Sequence, residues 1–338
     1  MTFITDIVSR YVHDSDVSAI KEMAMRCARI EGAVSLAWGL PSFQTPKYIR
    51  ESIKHYLDVD FDAGKYTLPD GMPELRELVV EKHRRETGIT VDAGENILIS
   101  AGNMQALNTL FHTMLDPGDE IILTDPCFAS HIQQISLFDG KPVYWPLDEA
   151  NNWSLDLELL PSLINEKTQA IVLVSPSNPT GKIFTREELI AVGRIAKQHG
   201  ILIIIDDPYS DFLYENREKY FNLASLEEFS EHVVYLYSFS KSYAMSGWRL
   251  SYMVMPAELK QQALKVHDAT MICAPHISQL AGITALSEPS DHKQRFEMIL
   301  STRRELIHQR IEHLPHVFSA QKPEGAYYAF PRIIAPHD

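Results

Sequence analysis

Five short aliphatic runs, each followed by a polar or glycine-bearing stretch, constrain this chain more than any other feature. They are ILIS (97–100), EIILTD (120–125), QAIVLVS (169–175), ILIIID (201–206) and VVYLYS (233–238). Runs that are apolar throughout, not at every second residue, predict strands of a sheet covered on both faces. Helix-forming stretches lie between them: 72–86 ending near Gly88, 103–115 ending before Pro117-Gly118, and 185–198 ending near Gly200. The last opens on Thr185-Arg-Glu-Glu188, a capping box. Strands alternating with helices give βαβ units, hence an α/β fold with a mostly parallel sheet between helices. In such sheets ligands bind beyond the carboxyl ends of the strands, so the chemistry is sought in the residues that follow each run.

From about residue 257 the pattern changes to long helices, 257–286 with a bend at Pro275 and 291–312, followed by a strand over 326–331. Together with the first forty-odd residues these form a second, smaller α+β domain. A length of 338 residues suits such a division, and 45% hydrophobic residues supply a large core and exclude wholesale disorder. The charge balance, 31 Lys+Arg against 45 Asp+Glu for a net −14, argues against a nucleic-acid or anionic-membrane partner. Cys27, Cys127 and Cys273 lie far apart, which suits a reducing cytoplasm. The opening MTFITDIVSRYVHD has no signal-peptide pattern and no long apolar window suggests a membrane span. The expectation is a soluble cytoplasmic enzyme.

The richest strand end is Ser238-Phe-Ser240-Lys241-Ser-Tyr-Ala-Met-Ser-Gly247-Trp-Arg249. A lysine at the lip of a sheet is ordinarily a solvated cation. In a cleft, desolvation makes it a nucleophile for Schiff-base chemistry, and the hydroxyls and arginine beside it seat a phosphate. Three other strand ends tip the balance. Asp206-Asp207-Pro208-Tyr209 puts a carboxylate at the end of an aliphatic run, costly to bury without a cationic partner. Ser175-Pro-Ser-Asn178-Pro179-Thr-Gly181 projects an amide from a rigid turn. Ala101-Gly102-Asn103-Met104-Gln105 opens a helix whose free N–H groups suit a phosphate. Each alone is a common turn; four on one sheet form a constellation.

That constellation resembles the pyridoxal-phosphate aminotransferases of class I and II, with the aspartate-aminotransferase fold (fold type I). The matching text runs from Ser35-Leu-Ala-Trp-Gly39-Leu-Pro41 and Tyr66-Thr-Leu-Pro-Asp-Gly71-Met-Pro-Glu-Leu75-Arg76 through Gly102-Asn-Met-Gln-Ala106, Pro117-Gly118-Asp119 and Asp125-Pro126-Cys-Phe128. It continues with Asn178-Pro-Thr-Gly181, Asp206-Asp-Pro-Tyr209 and Ser238-x-Ser-Lys241 to Arg249, ending at Pro323-Glu-Gly325-Ala-Tyr-Tyr. The resemblance implies a large cofactor-binding domain at 46–275, with 1–45 and 276–338 belonging to the small domain. It implies that Lys241 holds pyridoxal 5′-phosphate as a Schiff base and, once freed by an amino acid, shuttles the proton from Cα. Asp206 would pair with the pyridine nitrogen, making the ring an electron sink. Asn178 and Tyr209 would bond its phenolic oxygen and Phe128 would stack on the ring, where relatives often carry Tyr or Trp. Gly102, Asn103, Met104, Ser238, Ser240 and Arg249 would cradle the phosphate. Gly39 would line the substrate pocket. Tyr66 would reach the phosphate of a neighbouring subunit, implying a homodimer with shared sites. Substrates would be an L-amino acid and a 2-oxo acid, exchanged in a ping-pong cycle.

Two departures qualify this. Asp207-Pro208 stands where Glu-x is usual, a pattern also found in broad-specificity, aromatic and α-aminoadipate branches. Relatives also continue well past Gly325-Ala-Tyr-Tyr, completing the small domain and supplying an arginine for the substrate α-carboxylate. Arg332, the only arginine beyond Gly325, is outside that motif, so the small domain is read as incomplete at Asp338. A β-C–S lyase or decarboxylase shares the lysine, aspartate and phosphate seat, and a cofactor-binding protein without turnover is the non-enzyme alternative. Family frequency favours the aminotransferase. Ser238-x-x-Lys241 lacks the companion motifs of serine acyl-enzymes, no GxGxxG supports a dinucleotide, and the 14 histidines contain no HExxH, so no metal is expected.

Overall fold

The computed structural model describes residues 7–13, 18–36 and 39–336. Its main sheet is built from β1 (Ile97–Ser100), β2 (Glu120–Asp125), β3 (Lys141–Asp148), β4 (Ser154–Leu155), β5 (Thr168–Val174), β6 (Leu202–Asp207), β7 (Val233–Ser238) and β8 (Ser251–Val254). The spatial order is β1-β8-β7-β6-β5-β2-β3-β4. From β7 to β3 all neighbours are parallel, while β8 runs antiparallel to both β1 and β7, and β4 to β3. All five aliphatic runs are strands of this sheet, which is α/β and mostly parallel, as expected.

Continuous apolarity is explained by what covers the sheet. Strand side chains alternate between faces. Ile203 and Ile205 enter one core, with Ile97, Ile99, Ile171 and Tyr235, under helices Lys47–Val59, Pro73–Thr87, Arg186–His199 and His276–Ser287. Ile204 enters the other, with Leu98, Val172, Val234 and Met253, under helices Asn103–Met114, Ala129–Leu137 and Ala257–Met271. Helix Arg186–His199 carries the capping box in full, Glu188 reaching back to the Thr185 N–H at 2.7 Å, and closes on left-handed Gly200.

Three strands of the main sheet escaped the sequence reading, among them the two-residue β4. β3 (KPVYWPLD) carries two prolines and lies near the sheet edge, and β8 is only four residues long. Two expectations are corrected. The stretch 257–286 is not one bent helix but two, Ala257–Met271 and His276–Ser287, separated where Ile272 takes a φ of 67° and Pro275 caps the second. The residue before a proline is disfavoured in the helical region, so the chain restarts there instead of bending through. Residues 326–331 form no strand. The amides of Glu324, Gly325 and Ala326 are taken by Gly181 and Phe212 carbonyls, and Ala326 turns the chain at φ 57°. A short strand follows instead, β10 (Arg332–Ile333), antiparallel to β9 (Phe318–Ser319).

The topology places the motifs. β5, β6 and β7 end side by side, with Val174 opposite Asp206 and Asp206 opposite Leu236. Ser238, Ser251 and Ser100 form one row across β7, β8 and β1, with the Ser251 and Ser100 hydroxyls 2.6 Å apart. The row brings the segments after β1, before β8 and after β7 to one end of the sheet.

Candidate active site

Beyond these strand ends lies a cavity of about 680 Å³. At its floor, alternation sends adjacent carboxylates to opposite faces. Asp206 points toward helices Asn103–Met114 and Ala129–Leu137, where Asn103 Nδ2 donates to Oδ1 at 2.6 Å and His131 Nε2 lies 3.1 Å from Oδ2. Asp207 points into the opposite core, fully buried, and accepts from the Tyr220 and Tyr235 hydroxyls at 2.5 and 3.0 Å. Burial pushes the Asp207 carboxyl up to about 6 despite those donors. Asp206 lines the cavity; Asp207 is structural.

Lys241 sits in the single helical turn Phe239–Ser242 that follows β7. Its Nζ donates to the Gly39 carbonyl at 2.6 Å, an oxygen that also accepts from the Tyr327 hydroxyl at 3.0 Å. Burial lowers the amine from 10.5 to about 8; Arg249 acts in the same sense and Asp206 opposes it. Arg249, at a φ of 55°, is held by a bond from Nη1 to the Ser246 carbonyl at 2.9 Å. Gly102 passes directly behind it at φ +84°, and a Cβ there would run into the guanidinium. Glycine is therefore needed twice over, for the backbone conformation and for the close approach.

Gly39, Asn103, Met104, Phe128, Asn178, Asp206, Tyr209, Ser238, Ser240, Lys241 and Arg249 all line the cavity. Gly102 backs Arg249 without lining it. Tyr66 is apart from the others, 78% exposed in the loop before helix Pro73–Thr87. Of the Ser35–Pro41 motif, Ala37 and Trp38 lie outside the described residues. Sequence reasoning missed His131, buried at 1% exposure with its ring edge-on to Phe128 at 5.3 Å and 90°. The signal available was its position, one helical turn after Phe128 and so on the same face. It also assigned no role to Tyr328, whose hydroxyl bonds that of Tyr209.

Residues 31–336 match the family model for aminotransferase class I and II. The chain is 35% identical over 318 residues to an aspartate aminotransferase of Pyrococcus horikoshii, covering 94% of this chain and 80% of that protein. It is 32% identical over 326 residues to aromatic-amino-acid aminotransferase 2 of Thermococcus litoralis, covering 95% and 81%. Among solved structures, the aspartate aminotransferase of Thermus thermophilus with maleate superimposes with a TM-score of 0.90 at 30% identity, covering 96% of this chain and 84% of that one.

The fold and the strand-end site define a transferase of amino groups. The chain belongs to the class I and II aminotransferase family, and its cofactor is pyridoxal 5′-phosphate. The cavity fits that group. Gly102 leaves the room beside Arg249 that a phosphate seat requires, and the donors there are hydroxyls, helix N–H groups and a guanidinium, the set that binds a phosphate dianion. A buried acceptor, Asn103 Oδ1, has no partner among the described residues.

Proposed function

We propose that Lys241 Nζ is the point of covalent attachment for pyridoxal phosphate and, once released by an amino-acid substrate, the base that takes the proton from Cα. The observation that carries this reading is an amine lowered to about 8 by burial, projecting into the same cavity as the Asp206 carboxylate. Near neutral pH an ordinary lysine is almost wholly protonated, whereas this one has an appreciable neutral fraction.

Asp206 holds the pyridine nitrogen in its protonated form, and Asn103 and His131 fix the carboxylate for that task. Asn178 and Tyr209 donate to the ring's phenolic oxygen and Phe128 stacks on the ring. Ser238, Ser240, Arg249 and the segment Gly102–Met104 bind the phosphate. When bound, the cofactor supplies an electron sink for the charge left at Cα. Gly39 lines the substrate pocket and offers its carbonyl to Lys241.

The substrates are an L-amino acid and a 2-oxo acid, and the working form is a homodimer in which Tyr66 completes the partner's phosphate site. The exposure of Tyr66, beside Phe61 at 90%, supports the shared-site dimer. A cytoplasmic location is supported by three cysteines that are all free. No described helix is long and apolar enough to cross a membrane.

The deciding experiment is the visible spectrum of the purified holoenzyme, before and after addition of a donor panel spanning acidic and aromatic amino acids. A visible band that converts to the spectrum of the cofactor's amine form with at least one donor is expected, and the band is lost in Lys241→Ala. An unchanged band in Lys241→Ala would overturn the attachment site.

A further inference from the structure

The segment Pro323–Tyr328 is clamped into the site by its backbone. Glu324 and Gly325 N–H groups share the Gly181 carbonyl at 3.0 and 2.8 Å, and the Ala326 N–H bonds the Phe212 carbonyl at 2.9 Å. The Tyr214 hydroxyl donates to the Ala326 carbonyl, and Ala326 itself is fully buried in a left-handed conformation. Such over-determination presents two tyrosines in fixed positions. The Tyr327 hydroxyl donates to the Gly39 carbonyl at 3.0 Å and also lies against that of Tyr328. Tyr328 places its ring perpendicular to that of Tyr209, centroids 5.5 Å apart, with the two hydroxyls bonded. Gly39 has no Cβ where the Tyr328 ring passes; one there would meet Cε1 at 2.7 Å.

We infer that Tyr328 is a positioning residue for the reaction: its hydroxyl donates to the Tyr209 hydroxyl and so commits the Tyr209 proton to the cavity. The inference rests on the reading above in which Tyr209 donates to the cofactor's phenolic oxygen. Two phenols share one hydrogen bond, and each has a single proton. Burial pushes Tyr328 up to about 12 and Tyr209 well above its ordinary value, so both stay protonated in the working range. Were Tyr209 the donor to Tyr328, its oxygen would meet the ring oxygen acceptor to acceptor. Only the order Tyr328 to Tyr209 to ring oxygen satisfies all three. Bonds in such a chain polarise one another, so Tyr328 makes Tyr209 a stronger donor. The titratable groups facing this pair are Lys241, with Nζ 5.9 Å from the Tyr209 ring centre, together with Asp206 and Tyr327.

The test is a pH titration of the visible absorbance of the holoenzyme. A donor on the ring oxygen withdraws electron density and makes the lysine-linked nitrogen less basic, so weakening it moves the midpoint up. Tyr328→Phe, which removes one oxygen, is expected to raise the midpoint by roughly half a pH unit. Tyr209→Phe raises it further, and the double variant matches Tyr209→Phe alone. An unchanged midpoint in Tyr328→Phe, or a shift that adds in full to that of Tyr209→Phe, would overturn the inference. A midpoint left unmoved by Tyr209→Phe itself would instead remove the reading of Tyr209 on which the inference rests.

Discussion

Lys241 and Asp206 act through what surrounds them, and each carries a measurable consequence. Burial penalises the ammonium form of Lys241, so its proton leaves at lower pH than in the unfolded chain. In the cofactor-free protein, capture of this lysine by a small aldehyde and a reductant should rise with pH through a midpoint near 8, not 10.5. Between those values the unfolded chain holds a proton the folded one has lost, so this group makes stability rise with pH across that window. A midpoint near 10.5 in peptide mapping of the modified site would deny the desolvation. For Asp206 the expectation is a separation of binding from turnover. Asp206→Ala should retain cofactor through Lys241 and the phosphate seat while single-turnover transfer slows on the order of 10²-fold or more. Undiminished transfer in stopped-flow traces would remove its role.

At the scale of elements, the proposed phosphate seat is a meeting of three chain segments that no single one contains. The row Ser100, Ser251 and Ser238 ties β1, β8 and β7 together, and Gly102 and Arg249 emerge from its two sides. Gly102→Ala places a methyl group on the guanidinium and strains a backbone at φ +84°. Loss of one charge-assisted phosphate contact should weaken cofactor affinity about tenfold or more, read by equilibrium titration of the cofactor-free protein. Unaltered affinity would place the phosphate elsewhere. The same elements explain what could be read from sequence. The five strands were legible because burial on both faces leaves its mark inside each run. β8 was not, because four residues carry too short a pattern and its place between β1 and β7 comes from pairing with Ile97–Ser100, far back in the chain, as well as with the preceding β7.

For the whole molecule, the exposure of Phe61 and Tyr66, with Leu57 and Val59 at 62% each, leaves an apolar margin beside helix Lys47–Val59. If Tyr66 completes a partner's site, variants defective in different halves should complement. Co-expressed Lys241→Ala and Tyr66→Ala chains form mixed dimers in which one site has lost both groups and the other has neither defect. Transferase activity of the mixed preparation above that of either parent is expected. No gain, with mixed dimers verified by mass, would count against shared sites.

The sequence by itself determined the strands and the polar groups at their ends, because both are local patterns set by burial and turn chemistry. From these it reached the family, the cofactor and eleven residues that line one cavity. The family resemblance had singled out Asp206, but only tertiary structure supplies the reason it and not Asp207 faces the site, since strand parity separates the two only once the sheet has faces. Tertiary structure also decided that His131 braces Asp206 and that Tyr328 meets Tyr209. Those partners lie 75 and 119 residues apart, and such contacts arise only when the elements that carry them pack together.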